Sequence, residues 1–348
     1  MSDDRARLLE LVRQHGRNLH SFMVLEPGLS LWFDATRDAA VAYAAHGGYW
    51  VAVGSPLCAV ERIDAVTRAF SEAAQHAGQR AAFFGVSERF VGQLGQGFDA
   101  LQVGQQPLWR PSAWPEVVRR AEKLRNRLRR AEKLGVSVRQ ALPAELAART
   151  KLRSAMEAMV ARWTQARALP PMGFMVTVEL FAHAEARRYF IAQSASGKPV
   201  GFAVAVPIFG LEGWLIEDLV VDRDAPAGST EALIDAAMRA LADATTVSLG
   251  MVVLAGLSAP VETQRHPILT GLIRLAGRVT GWAYGFEGLL RFRQKLRPER
   301  WENVYVVAPG GVSWLTLRAV LMAFTGGWVP RFALRAVRRL VAQRWSGR

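Results

Sequence analysis

Residues 213–258, GWLIEDLVVDRDAPAGSTEALIDAAMRALADATTVSLGMVVLAGLS, decide the fold. Residues 214–221 are rich in Leu, Ile and Val and read as a strand, interrupted by two acids, Glu217 and Asp218. Residues 222–228 carry Pro226 and Gly228 and read as a turn. Ser229 or Thr230 then stands where a helix N-cap belongs. Behind it, Leu233, Ile234, Ala237, Met238 and Leu241 mark one apolar helix face. A second strand, 247–254, contains Gly250. A carboxylate in a buried strand is costly unless something pairs with it, so Glu217 and Asp218 are candidate catalytic residues. Alternation along a strand puts neighbours on opposite faces, which predicts that only one of them faces the site.

Upstream of this unit, 189–193 and 200–209 read as antiparallel strands joined at Ser196-Gly197. The spacing predicts helices over 143–167 and 180–184, with a loop at 170–174. Nearer the N-terminus it predicts a helix over 3–15 and a strand pair over 21–33 around Pro27-Gly28. A hairpin of 39–44 and 49–53 turns at His46-Gly47-Gly48. A helix at 62–78, a strand at 80–86, a short helix at 88–92 and a strand at 101–109 follow. Downstream, 268–275 reads as an apolar helix.

The chain has 348 residues and a formal net charge of +14, which points to an anionic partner such as nucleic acid, an anionic membrane or an acidic substrate. The charge is clustered. Residues 115–134, PEVVRRAEKLRNRLRRAEKL, hold eight Arg or Lys against three Glu and read as one helix stopped by Gly135. Val118, Ala121, Leu124, Leu128 and Ala131 form its apolar stripe. The bases Arg119, Arg120, Lys123, Arg125, Arg127, Arg129, Arg130 and Lys133 cover the rest, as a helix binding tRNA phosphates, or a solvated surface helix, would arrange them. Residues 312–348 contain seven Arg, no acid, and several Trp and Phe, a composition suited to an anionic bilayer surface or to a C-terminal helix packed on the domain or on a second chain. One cysteine, Cys58, excludes an intrachain disulfide framework. The N-terminal residues lack a signal-peptide apolar run, so the cytosol is the expected compartment. The histidines show no metal-binding spacing, and Ser55, Ser248 and Ser258 lack a GxSxG setting. Residues 93–97 are only a fragment of a Gly-rich pyrophosphate loop.

EDLVVDRDAPAG at 217–228 followed by SLGMVVLAGLS at 248–258 resembles the C-terminal catalytic region of the bacterial phosphatidylglycerol lysyltransferases. That family shows an Asp-Leu-x-Arg strand, a DAP-x-G turn and an LGMAPLS-like strand. It also carries a basic LRN-containing segment between its halves, here LRNRLRRAEKLG, and a GLR-x-FK-x-KF-x-P-x-W-x-x-x-Y segment. The latter is matched by Gly288, Leu289, Phe292, Lys295, Pro298, Trp301 and Tyr305. The likeness runs over about residues 20–308. At the position of the family's Arg after Asp-Leu, this chain has Val221, and Arg223 follows two residues later.

The resemblance implies an α+β fold with two tandem GNAT-like acyltransferase domains, like the Fem-type aminoacyl-tRNA-dependent transferases. They would span 1–114 and 143–310, joined by a basic connector at 115–142 and followed by a basic aromatic tail at 311–348. It implies transfer of an amino acid from aminoacyl-tRNA to a membrane lipid such as phosphatidylglycerol, without a cofactor, at the inner face of the membrane. Asp218 matches the family's strand Asp. Gly250 and Met251 match its LGM segment, and Arg223, Arg291, Arg293 and Lys295 are carried with them as substrate-binding residues. Lys295 would hold a phosphate, although a solvated basic strand is the plain reading of 291–295. Two other readings stay open: an acyltransferase using acyl-CoA or acyl carrier protein, and a non-catalytic protein that binds membrane or RNA.

Overall fold

The computed structural model describes residues 3–166, 174, 179–257, 269, 271 and 286–327. The fold is mixed α+β, built on one continuous sheet. Its first half begins with α1 (Asp3–His15), which buries Leu8, Leu11 and Val12. Strands β1 (Ser30–Phe33), β2 (Ala40–His46) and β3 (Tyr49–Val53) are antiparallel neighbours. Gly47 and Gly48, at φ 60° and 81°, supply the two left-handed residues of the tight hairpin between β2 and β3. Helix α2 (Ile63–His76) then crosses to β4 (Arg80–Ser87), which is parallel to β3. Ser87 caps the short α3 (Glu88–Gly92), and β5 (Phe98–Trp109) closes this half.

The second half repeats the plan. Strands β6 (Ser137–Gln140), β7 (Arg188–Gln193), β8 (Pro199–Ile208) and β9 (Gly213–Val221) are antiparallel in turn. Helix α6 (Lys151–Ala166) packs on β8 and β9. Helix α7 (Ser229–Ala240) crosses to β10 (Thr246–Ser248), parallel to β9. Strand β11 (Val252–Val253) pairs with β5. After α8 (Phe286–Lys295), β12 (Arg300–Pro309) returns to the first half and inserts between β4 and β5. Helix α9 (Trp314–Thr325) then packs on β2 and β3. The sheet order is β1-β2-β3-β4-β12-β5-β10-β9-β8-β7-β6.

Several local expectations change. Residues 21–26 form a turn with a 3-10 helix at Met23–Leu25 rather than a strand. The basic helix is two helices, α4 (Trp114–Arg120) and α5 (Glu122–Lys133), broken where Ala121 takes ψ 85°. The break lets Trp114 bury its ring and donate to Asp235 of α7 at 2.8 Å, while α5 lies across α7. Residues 143–146 form a 3-10 helix ahead of α6, and 180–183 form a turn that leads into a 3-10 helix at Ala184–Ala186. Gly228 is the N-cap of α7, and Ser229 instead donates its hydroxyl back to the Pro226 carbonyl at 2.7 Å. The basic segment 291–295 is helical rather than extended, because it lies on α8. The expected helix at 268–275 lies outside the described residues apart from Leu269 and Gly271, as do the tail beyond Gly327 and most of the 170–174 loop.

Candidate active site

The predicted strand at 247–254 is interrupted, and the interruption opens the sheet. Strand β10 pairs with β9 only from Thr246↔Gly213 to Ser248↔Leu215. Gly250, at φ 79°, then turns the chain away, and Val252 and Val253 join β5 instead. Beyond Leu215, β9 has no strand partner on this side among the described residues, so the two parallel strands splay. Ser248 fixes the bend: its hydroxyl donates to the Pro107 carbonyl at 2.8 Å and accepts the Gly250 N–H at 3.1 Å. Arg293 of α8 reaches the same bend and donates to the carbonyls of Gly250, at 2.6 Å, and Leu249. Its guanidinium is buried and has no acidic partner among the described residues. Burial draws its pKa down to about 10.

Glu217 and Asp218 lie on β9 just past the splay, and a β-bulge separates them. Asp218 pairs with Val204 and Ile216 with Ala205, so Glu217 is the extra residue. On β8 the even residues from Phe202 to Ile208 line one face, and Ala203 and Ala205 the other, under α7. On β9, Trp214 and Ile216 face α7, but Leu219 and Val221 do so next, while Val220 faces away. The phase slips by one at Glu217. Strict alternation is therefore broken, and both acids reach the face opposite α7.

Among the described residues, one guanidinium serves this face. Arg187, just before β7, donates to Glu217 Oε2 at 2.6 Å and to the Ala182 carbonyl at 2.8 Å, and lies 5.1 Å from the centre of the Phe22 ring. Both partners of the ion pair are buried, with side-chain exposures of 6% and 11%. Asp218 forms no side-chain hydrogen bond or ion pair among the described residues. Its pKa is pushed up to about 7, first by burial and then by the charge of Glu217, against the pull of Arg187. Burial raises Glu217 as well, again against Arg187.

Glu26 completes the group from the first half of the chain. It is 8% exposed and likewise has no side-chain partner among the described residues. Its pKa is pushed up to about 8 by burial and by Glu217, with Arg187 opposing and Asp218 and Glu179 adding to the rise. Among the described residues, three buried carboxylates thus sit in the field of one guanidinium. Two close carboxylates resist ionising together, and a cation entering the group would relieve that cost.

The family profile for "Phosphatidylglycerol lysyltransferase, C-terminal" matches residues 9–308. The chain belongs to this family. The C-terminal DUF2156 domain of a putative lysylphosphatidylglycerol synthetase from Agrobacterium fabrum superposes with a TM-score of 0.77 at 20% identity, covering 94% of this chain and 99% of that one. The L-PGS structure from Bacillus licheniformis superposes at 0.75 and 18% identity, covering 91% and 95%. A Bacteroides thetaiotaomicron protein of unknown function gives 0.58 at 12% identity, covering 88% and 96%. These likenesses show a shared fold. Among curated proteins none matches the chain by sequence.

In this lysyltransferase-family chain the predicted basic residues divide. Lys123, Arg127 and Arg130 of α5 and Lys295 of α8 line one groove of about 330 Å³, together with Asn126, Glu231 and Phe292. Arg127 lies 4.0 Å from Glu231, the one acid of that lining. Arg119 and Arg120 instead pair with Glu116, and Arg125 turns back to the Arg119 carbonyl. Arg129 and Lys133 are exposed elsewhere on α5. Arg291 pairs with Glu287 on the solvent side of α8 at 2.9 Å, away from Arg293. Arg223 is exposed in the turn after β9, and the charges that act on Asp218 are Glu217 and Arg187. Met251 packs against the central core beside the bend.

The sequence reading missed Glu26 and Arg187. Glu26 is the only acid between Glu10 and Asp34, set in an apolar stretch, and that isolation was the available signal. Arg187 had none, since Arg187-Arg188 looks like an ordinary polar strand start.

Proposed function

We propose that this protein transfers an amino acid from aminoacyl-tRNA to a hydroxyl of an anionic membrane lipid such as phosphatidylglycerol, from the inner face of the membrane. The observation that carries this reading is the excess of buried carboxylate at the splay among the described residues: Glu26, Glu217 and Asp218 around Arg187. An aminoacyl ester carries an ammonium group, and a basic amino acid carries two cations. Charge-assisted hydrogen bonds to carboxylates are the strong way to hold them. We read the halves 1–114 and 143–310 as two acyltransferase-like units, with the donor ester lying between β9 and β11.

In this mechanism the lipid hydroxyl attacks the ester carbonyl directly. The C–O bond to the new ester forms, the C–O bond to the tRNA ribose breaks, and the proton of the attacking hydroxyl passes to the departing ribose oxygen. Positioning supplies much of the rate. Asp218, with a pKa near 7, is matched to carrying that proton. Glu217, held by Arg187, and Glu26 bind the ammonium groups. The groove of Lys123, Arg127, Arg130 and Lys295 suits the phosphates of the tRNA acceptor end.

An acyl-CoA donor is less well supported. The turn before α7, where a pyrophosphate would seek the helix N-terminus, is filled by α5: a Cβ on Gly228 would lie 2.4 Å from the Arg127 carbonyl oxygen. The test is transfer of labelled amino acid from a panel of aminoacyl-tRNAs, with acetyl-CoA as the rival donor, to vesicles containing phosphatidylglycerol. Labelled lipid appearing only with aminoacyl-tRNA supports the reading. Acylation from CoA alone would replace it.

A further inference from the structure

Helix α9 (Trp314–Thr325) has two unlike faces. Thr316, Ala319, Val320 and Ala323 are buried against the first half of the sheet, and Thr316 lies 3.3 Å from the Tyr49 hydroxyl. The opposite face carries Trp314, Leu315 and Leu321, exposed to 61%, 45% and 45%, with exposed Arg318 among them. Positions 314, 318 and 321 recur at helical spacing, so these side chains share one stripe. Single exposed leucines are ordinary. An exposed Trp with two Leu and an Arg on one helix face is the makeup of an interfacial surface.

We infer that this face of α9 docks on an anionic lipid bilayer, with the helix lying in the plane of the interface. Charge selects the occupant. From Asn303 to the C-terminus the chain holds seven Arg and no Asp or Glu. A second copy of the same face would bring the two Arg318 charges together, whereas anionic headgroups attract Arg318 by about 1 kcal/mol. Trp314 suits the headgroup level, Leu315 and Leu321 reach below it, and Arg318 pairs with phosphate. The buried side of α9 belongs to the same core as Val24, Leu25 and Leu215, which flank Glu26 and the start of the splay. The docked helix therefore lies on the sheet face that carries the carboxylates. The purpose of the docking rests on the proposed lipid acceptor, while the docking itself is read by binding alone.

The experiment is flotation of the full chain with vesicles of phosphatidylcholine, with and without 30 mol% phosphatidylglycerol. The triple variant W314A/L315S/L321S alters only exposed positions, and its circular dichroism and melting curve check the fold. It is expected to bind phosphatidylglycerol vesicles at least about tenfold more weakly. R318E should lose about tenfold, from the reversal of one charge at the surface. L142S, an exposed leucine on another element, should bind as the parent does. Parent-like binding by the triple variant overturns the proposal. So does an equal loss in L142S, or a loss of self-association by light scattering with vesicle binding intact. Transfer to monomeric dihexanoyl phosphatidylglycerol separates this proposal from the functional one: the triple variant should keep it while losing transfer to vesicles. If the parent aminoacylates neither lipid, the functional reading fails, and the flotation result still decides the docking.

Discussion

The two strand–helix–strand units of this molecule, β3–α2–β4 and β9–α7–β10, share a plan and differ at one place. Strands β3 and β4 stay paired from Tyr49↔Arg80 to Val53↔Phe84, and Gly54 extends the contact by donating to the Phe84 carbonyl at 2.8 Å. Strands β9 and β10 part after three pairs. Where the second unit opens, the first is plugged. Asn18 donates to the Gly85 carbonyl at 3.0 Å and accepts the His20 N–H at 2.7 Å, and its amide lies against Gly54. His20, fully buried with its pKa drawn down to about 4 by desolvation, sits against the same carbonyl. Strand β3 reads YWVAV with no acid, whereas β9 places two at its opening. One copy of the plan keeps its strands paired, and the other has exchanged sheet pairing for a polar opening.

The sharpest way to break this contrast is at the open unit. Asp218→Asn keeps the size of the side chain and removes its charge, and no described residue depends on it for a hydrogen bond. Transfer should fall by roughly 10²–10⁴ with the melting temperature held or raised. Retained transfer would remove Asp218 from the mechanism. Next in effect is Arg187→Ala, which leaves the buried carboxylates without their cation. A cost of about 3–5 kcal/mol is expected above pH 8, shrinking toward pH 5 as the acids take up protons, and denaturant titrations at both pH values read it. At the plugged unit, Asn18→Ala should cost about 2 kcal/mol by orphaning buried backbone groups, while kcat of the folded fraction stays unchanged. A large loss of kcat there would mean that the first unit is not a scaffold.

Much of this plan was legible because it is local. The β2–β3 hairpin, α2, β4, α3, β5 and the β7–β8 pair follow from periodicity and from glycine at the turns. The family was legible from the motifs at 217–228, 248–258 and 288–305. What escaped depends on distant partners. The slip at Glu217 exists only relative to Val204 and Ala205, so strict alternation put the acids on opposite faces. The return of β12 between β4 and β5 joins residues about 200 apart. The break at Ala121 answers to Trp114 finding Asp235 on another helix. Glu26 became a site residue only once the two halves were folded together, since nothing within its own segment marks it as acting on β9.

Glu26 also offers a test whose predicted effect has a definite sign. In the folded chain its pKa is pushed up to about 8, and that of Asp218 to about 7, whereas unfolded carboxylates titrate near 4. Between about pH 4 and 8 the folded chain therefore holds protons that the unfolded chain has released. Stability falls as pH rises wherever the folded state binds more protons, so the ligand-free protein should melt at progressively lower temperature across that window. Glu26→Gln mimics the protonated form at every pH. It should match the parent below about pH 4, exceed it by a margin that widens up to pH 8.5, and flatten the slope between them. The variant should also bind a diammonium probe such as cadaverine more weakly at pH 8.5, because it has lost one of the carboxylates that the cation neutralises. If Glu26→Gln is less stable than the parent at pH 8.5, then Glu26 has a partner in the folded chain, and the unmet charge at the open unit is smaller than these three carboxylates imply.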